Sequence, residues 1–139
     1  MGIAREVADR ATAALEANDL EAVRACYAED AVAVTPDSGE LRGRDAVVRW
    51  LSVWGEAFPD GGYESSAQYE DGNVAIDEGY LTGVHTGPLR TPSGDSIPPT
   101  GRSVRVRSCD IAVVEGGVIT RHHFYFDSED FTRQLGLDG

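Results

Sequence analysis

The feature that most constrains this chain is a change of hydrophobic period near residue 60. Before it, apolar side chains recur at helical spacing: Ile3, Val7, Ala11, Ala14 and Leu15, then Leu20, Val23 and Tyr27, then Val47, Leu51, Trp54 and Phe58. After it the chain alternates as strands do, and Phe58-Pro59-Asp60-Gly61-Gly62 divides the two regimes. The spacing predicts a helix over 3–17. A second follows, capped by Asn18 with Glu21 completing a capping box. A third runs from an Asp45 cap to about Ala57. Asp30 to Thr35 reads as extended, and Pro36-Asp37-Ser38-Gly39 as a turn. Strands are expected at 63–70, 74–86, 103–115 and 118–127, with a hairpin at Asp71-Gly72-Asn73 and a surface loop over Thr91–Ser96. A final helix runs from a Ser128 cap to Leu135. Helices followed by antiparallel strands make an α+β pattern. The expected architecture is a cone-shaped curved antiparallel sheet wrapped around three N-terminal helices, in one domain over 1–139.

Charge narrows the partners. The formal net charge is −12, which repels nucleic acid and anionic membrane surfaces. No run reaches transmembrane length and no secretory leader pattern is present, so a cytoplasmic location is expected. Cys26 and Cys109 match no redox or ligand spacing. His122 and His123 are adjacent on a strand and point to opposite faces, so they cannot share a metal. No metal site and no cofactor is expected. The chain also lacks a Gly-x-Ser-x-Gly elbow and a phosphate-binding glycine loop.

The last hairpin determines which side chains meet. A three-residue loop at Glu115-Gly116-Gly117 sets Val114 against Val118, Asp110 opposite His122 and Ser108 opposite Phe124. It gathers Val104, Val106, Ala112, Val114, Val118, Phe124 and Phe126 on one apolar face. A two-residue Gly116-Gly117 loop would set Asp110 against His123 and mismatch the faces, so the first register is preferred. Asp110 and His122 then form a proton-moving pair inside an apolar cone, with His123 as second choice. The bland reading is a hydrogen-bonded pair that closes one end of the sheet. Tyr27, Trp54, Phe58, Tyr80, His85, Ser108 and Phe124 are expected to line the pocket, although core packing would explain most of the aromatics and a turn contact would explain His85.

Gly83-Val84-His85-Thr86-Gly87 and Pro98-Pro99-Thr100-Gly101-Arg102-Ser103-Val104 resemble the "GTHTG…PPTGR.V" signature of the SnoaL-like polyketide cyclases. Asn18-Asp19-Leu20-Glu21-Ala22-Val23, Asp30-Ala31-Val32, Ala57-Phe58-Pro59-Asp60 and Gln134-Leu135-Gly136 are similar to that family in the same order. The resemblance spans nearly the whole chain. It implies the nuclear transport factor 2-like superfold, a cystatin-like α+β barrel around one ligand pocket. It also implies metal-free aldol cyclisation of a polyketide by an acidic side chain. That side chain sits on the last long strand of the family, where Arg121-His122-His123-Phe124 here puts Phe124.

Three functions follow as expectations. The first is cofactor-independent acid–base chemistry, cyclisation or isomerisation, on a hydrophobic carbonyl compound. The second is a non-catalytic pocket that binds a hydrophobic small molecule. The third is epoxide hydrolysis, which wants a second carboxylate and an inward arginine, whereas Arg105 and Arg107 fall on the face opposite Asp110. Ile111, Val113, Ile119 and Tyr125 are placed on that outer face, where a homodimer is expected to form.

Overall fold

The computed structural model describes residues 2–137. Its elements are α1 (Ile3–Glu16), α2 (Leu20–Ala25), β1 (Tyr27–Thr35), β2 (Gly39–Arg42), α3 (Arg44–Ala57), β3 (Gly62–Asp71), β4 (Val74–Val84), β5 (Leu89–Arg90), β6 (Ser96–Ile97), β7 (Ser103–Glu115), β8 (Val118–Phe126) and α4 (Ser128–Gln134). The fold is a mixed α+β cone, with α1 to α3 against the concave face of a curved sheet. Six strands run in the order β2-β1-β8-β7-β4-β3. All neighbours are antiparallel except β1 and β8, which are parallel. That pair departs from the all-antiparallel expectation because β1 enters the sheet from the helical half of the chain. A second hairpin, β5–β6, brackets residues expected to form only a loop.

The caps differ from the sequence reading. Asp19, not Asn18, accepts the Ala22 N–H at the start of α2. Asn18 instead ends α1 in the left-handed region (φ 55°), a conformation asparagine tolerates. Asp127, not Ser128, caps α4. Gly43 occupies the cap of α3, and no side chain bonds there.

The concave face carries Val104, Val106, Ala112 and Val114 of β7 and Ile119 of β8, all buried. Against Ala112, Val114 and Ile119, α1 sets Ala4, Val7, Ala8, Ala11 and Ala14 and α3 sets Val47 and Leu51, while Val104 and Val106 pack with Ala57, Phe58, Leu89 and Leu135. Burying each large apolar side chain contributes roughly 1.5–3 kcal/mol. Alanine contributes less and reaches less far from its helix. An alanine-rich seam on α1 therefore leaves unfilled space between helix and sheet.

The β7–β8 turn corrects the expected register. Glu115 pairs with Val118 across a two-residue loop in which Gly116 and Gly117 have φ 61° and 81°. Both residues must have positive φ in such a turn, so glycine suits both positions. The loop alone would invert the faces of β8. A bulge restores them: Val114 pairs with Ile119 but Val113 with Arg121, leaving Thr120 unpaired. Ile119, expected outside, is consequently in the core, and Val118, expected inside, lies at the turn. Asp110 lies opposite Phe124, and His122 opposite Ala112.

Candidate functional site

The space under α1 is a cavity of about 660 Å³. Its lining joins Ala8, Ala11 and Leu15 of α1 to Trp50, Leu51 and Trp54 of α3 and to the concave strands. Exposed Glu16, Asn18, Leu20 and Glu56 mark its mouth, and Asn18 Nδ2 donates to Pro59 O across it (3.0 Å). Aromatic rings form most of one wall. Trp50 meets Phe124 at 4.9 Å between centroids, and Trp54 meets Phe126 and Phe131 edge-on at 5.8 and 5.4 Å. These contacts suit the electron-rich faces of the rings. Phe131 reaches in from α4, so the last helix helps close the cavity.

On the sheet side, Ser108, Asp110 and His122 interrupt the apolar wall. Asp110 and His122 are two residues out of the expected register, yet the bulge keeps them on one face. Their side chains meet diagonally, His122 Nε2 lying 2.6 Å from Asp110 Oδ2. Behind them, the Tyr27 hydroxyl lies 2.7 Å from His122 Nδ1. Tyr27 is fully buried; desolvation first, and the Asp110 charge second, push its phenol well above the ordinary range. It therefore keeps its proton, and its hydrogen-bond partner among the described residues is Nδ1. Tyr27 O–H donating to Nδ1 leaves Nε2–H to donate to Asp110, so both ring nitrogens and the buried phenol of this triad have partners with the ring neutral. A protonated ring would leave the phenol proton without an acceptor. Phe124 stacks on the imidazole at 3.9 Å and fixes its plane.

The remaining polar groups are mostly engaged. Tyr63 O–H donates to Ser108 O (3.2 Å); burial, then the Asp110 charge, raise its phenol well above the usual value. Among the described residues, Asp110 Oδ1 and Ser108 Oγ have no hydrogen-bond partner in the protein. They sit two residues apart on one face of β7, where one ligand group can meet both.

Other expected pocket residues fall elsewhere. Tyr27 is not on a helix; it opens β1 and lies behind His122 rather than on the cavity wall. Tyr80 is on the convex face under the Arg105 guanidinium, 3.6 Å from its ring centroid. The concave positions beside it go to Asp77 and to Gly79, where a Cβ would strike the Glu64 carbonyl oxygen. His85 is fully buried outside the cavity lining; its Nδ1 accepts the Thr100 N–H (3.1 Å), so it ties two strand ends together. His123 is on the convex face beside Tyr125. Trp54, Phe58, Ser108 and Phe124 do line the cavity.

Sequence reasoning missed Tyr63 and Phe131, because neither falls on a face whose direction the period alone determines. It also missed a buried ion pair. Arg5 of α1 donates to Asp77 Oδ2 (2.6 Å), and Gln68 donates to Asp77 Oδ1 (2.9 Å). Asp77 pairs in register with Asp110, so the sheet carries two neighbouring carboxylates. Both Asp77 oxygens are taken, however, and neither Arg5 nor Asp77 lines the cavity. This pair anchors α1 to the sheet and is not available to a ligand.

A family model for the SnoaL-like domain matches residues 8–122. The chain belongs to the SnoaL-like domain family. Solved structures agree at the level of the fold. A candidate SnoaL-like polyketide cyclase from Jannaschia sp. CCS1 superposes with TM-score 0.84 at 16% identity, over 99% of this chain and 94% of that one. AclR, a candidate hydroxylase from Streptomyces galilaeus, gives TM-score 0.80 at 19% identity, over 98% and 86%. IdmH, a candidate polyketide cyclase from Streptomyces antibioticus, gives 0.79 at 23% identity, over 96% and 98%. No curated protein matches this chain in sequence. At such identities the SnoaL-like fold is shared, and function must come from the site. Among the described residues, no helix is long and apolar enough to cross a membrane.

Proposed function

We propose that this SnoaL-like protein is a cofactor-independent acid–base enzyme that enolises a hydrophobic carbonyl compound, with cyclisation or isomerisation as the outcome. The observation that carries the reading is the Tyr27–His122–Asp110 chain ending at a free carboxylate oxygen in an aromatic-walled cavity. The position opposite Asp110 across the strand pair is Phe124, where the family resemblance would put the acid–base aspartate. The carboxylate is thus supplied at the same height from the neighbouring strand.

Asp110 Oδ1 removes a proton from the carbon next to the carbonyl. The C–H electrons form a C=C bond, and the carbonyl π electrons move to oxygen as an enolate. The Ser108 hydroxyl donates to that oxygen. Where a second double bond adjoins the enolate, returning the proton at the far carbon of the dienolate isomerises the compound; attack of the enolate carbon on a second carbonyl closes a ring, and Asp110 returns its proton to the new alkoxide. His122 touches the cavity and holds Asp110, while Tyr27 holds His122 in the tautomer that leaves Asp110 ionised.

The test is proton–deuterium exchange next to the carbonyl of a neutral aryl ketone such as 2-tetralone, followed by NMR in D2O. The wild type should accelerate exchange over buffer. Asp110→Asn should slow it by about 10²-fold or more with affinity kept, the signature of a lost general base. His122→Gln should act alike, and the double variant should be little worse than either single one. Tight binding of such ketones without any exchange would instead support a pocket that only binds.

A further inference from the structure

The charge of the cavity is one-sided. Glu16, Glu56 and Asp110 line it, whereas no arginine does among the described residues, and all 12 basic side chains of the chain are arginines. Glu56 is paired at the mouth with Arg90 (3.3 Å), and Glu16 Oε2 accepts the Tyr63 N–H (2.9 Å). Among the described residues Asp110 has no arginine partner: its one side-chain hydrogen bond is with His122 Nε2. Its side chain is 18% exposed and faces the space bounded by Trp50, Trp54, Phe124 and Phe126. A carboxylate facing several aromatic rings in a mostly apolar cavity attracts cations, through its own charge and through the ring quadrupoles. The same arrangement rejects anions, since no positive group compensates for their desolvation.

We infer that the cavity is selective for a flat hydrophobic compound carrying a protonated amine, and excludes compounds carrying a free carboxylate. The inference rests on the proposed role of Asp110 as an ionised group facing the ligand. It also supplies what the enolisation site lacks. Among the described residues the donors open to a developing enolate are the Ser108 hydroxyl and the unpartnered Trp54 indole N–H, and no arginine lines the cavity. An ammonium group carried by the ligand places positive charge next to that enolate without help from the chain.

The experiment compares three ligands that share one ring system and differ in charge: 2-naphthylmethylammonium, 2-naphthylmethanol and 2-naphthoate. Binding to the full chain is read by titration calorimetry and by quenching of Trp50 and Trp54 fluorescence. The ammonium should bind about tenfold tighter than the alcohol, the scale of a desolvated cation–π contact with a carboxylate nearby. The naphthoate should bind at least about tenfold more weakly than the alcohol. Asp110→Asn should bring the ammonium to within about twofold of the alcohol, and retained alcohol binding shows that the variant is folded. Equal affinity for alcohol and naphthoate in the wild type would overturn the inference, whatever the variant does. An undiminished ammonium preference in folded Asp110→Asn would overturn it as well. The two readings fail separately. Asp110-dependent exchange of neutral ketones with no charge preference would remove this inference alone. Ammonium selectivity with no exchange on any ketone would remove the catalytic reading and leave an amine-binding pocket.

Discussion

Tyr27 shows how much one side chain can contribute when it touches no ligand. Its hydroxyl is the sole described partner of His122 Nδ1, and its ring is sealed beneath β8. Tyr27→Phe keeps the ring and removes the one donor that fixes the tautomer. The buried Nδ1 then lacks a partner, so stability should fall by about 1–3 kcal/mol in chemical denaturation. Nitrogen-15 NMR of the imidazole should show a protonated Nε2 and a bare Nδ1 in the wild type, and a mixture of tautomers in the variant. An unchanged spectrum would mean that Asp110 alone determines the ring state. The variant should also enolise ketones more slowly while binding them as before, because Tyr27 acts through His122.

At the scale of elements, the anchoring of α1 decides whether the cavity exists. Its N-terminus has no side-chain cap of its own. Glu70 of β3 takes that place, accepting the Gly2 N–H (2.8 Å) and the Arg5 N–H (2.9 Å). These two backbone bonds, Arg5 first, hold the Glu70 carboxyl below its ordinary value of 4.5. A lowered carboxyl stabilises the folded state above the unfolded value and loses that contribution as pH falls through the folded value. Amide hydrogen exchange at Arg5 and Glu6 should thus accelerate as pH drops below about 4.5, after correction for intrinsic rates. In Glu70→Gln the same amides should be less protected at neutral pH, and the acid-linked change should disappear. The sequence showed α1 through its apolar spacing but could not show its cap, because Glu70 lies 65 residues from Arg5. The strands show the same divide. Alternation placed β3, β4, β7 and β8 within a few residues of their ends, since each has one buried face. It missed β2, β5 and β6, which are too short to alternate. The Asp110–His122 contact was legible because a two-residue turn and a one-residue bulge together preserve the face. The turn and the bulge themselves were not: Gly116-Gly117 fits both loop lengths, and Thr120 carries no signal of being unpaired. Tyr27 was misplaced because its spacing from Val23 continues a helix that in fact ends at Ala25.

At the scale of the whole molecule, the convex sheet face remains to be accounted for. Ile111 and Val113 of β7 are only half-buried there, and Tyr125 of β8 is 50% exposed. Arg105 and Glu64 on the same face are paired with each other (2.7 Å), so the half-buried apolar residues are what a second copy of the face would cover. The prediction is a homodimer through this face, and its salt dependence follows from the net charge. Each chain carries −12. Two such chains repel at low ionic strength, where the screening length is about 30 Å at 0.01 M, and far less at 0.15 M, where it is about 8 Å. Dimerisation should therefore strengthen as salt is added, the reverse of association held by opposite charges. Sedimentation equilibrium should give twice 14.9 kDa at micromolar concentration in 0.15 M salt, with a shift toward monomer in 0.01 M. Ile111→Arg should give monomer in both while leaving binding of 2-naphthylmethanol intact, because the cavity opens on the other side of the sheet. A 14.9 kDa species at every salt concentration would rule out the dimer.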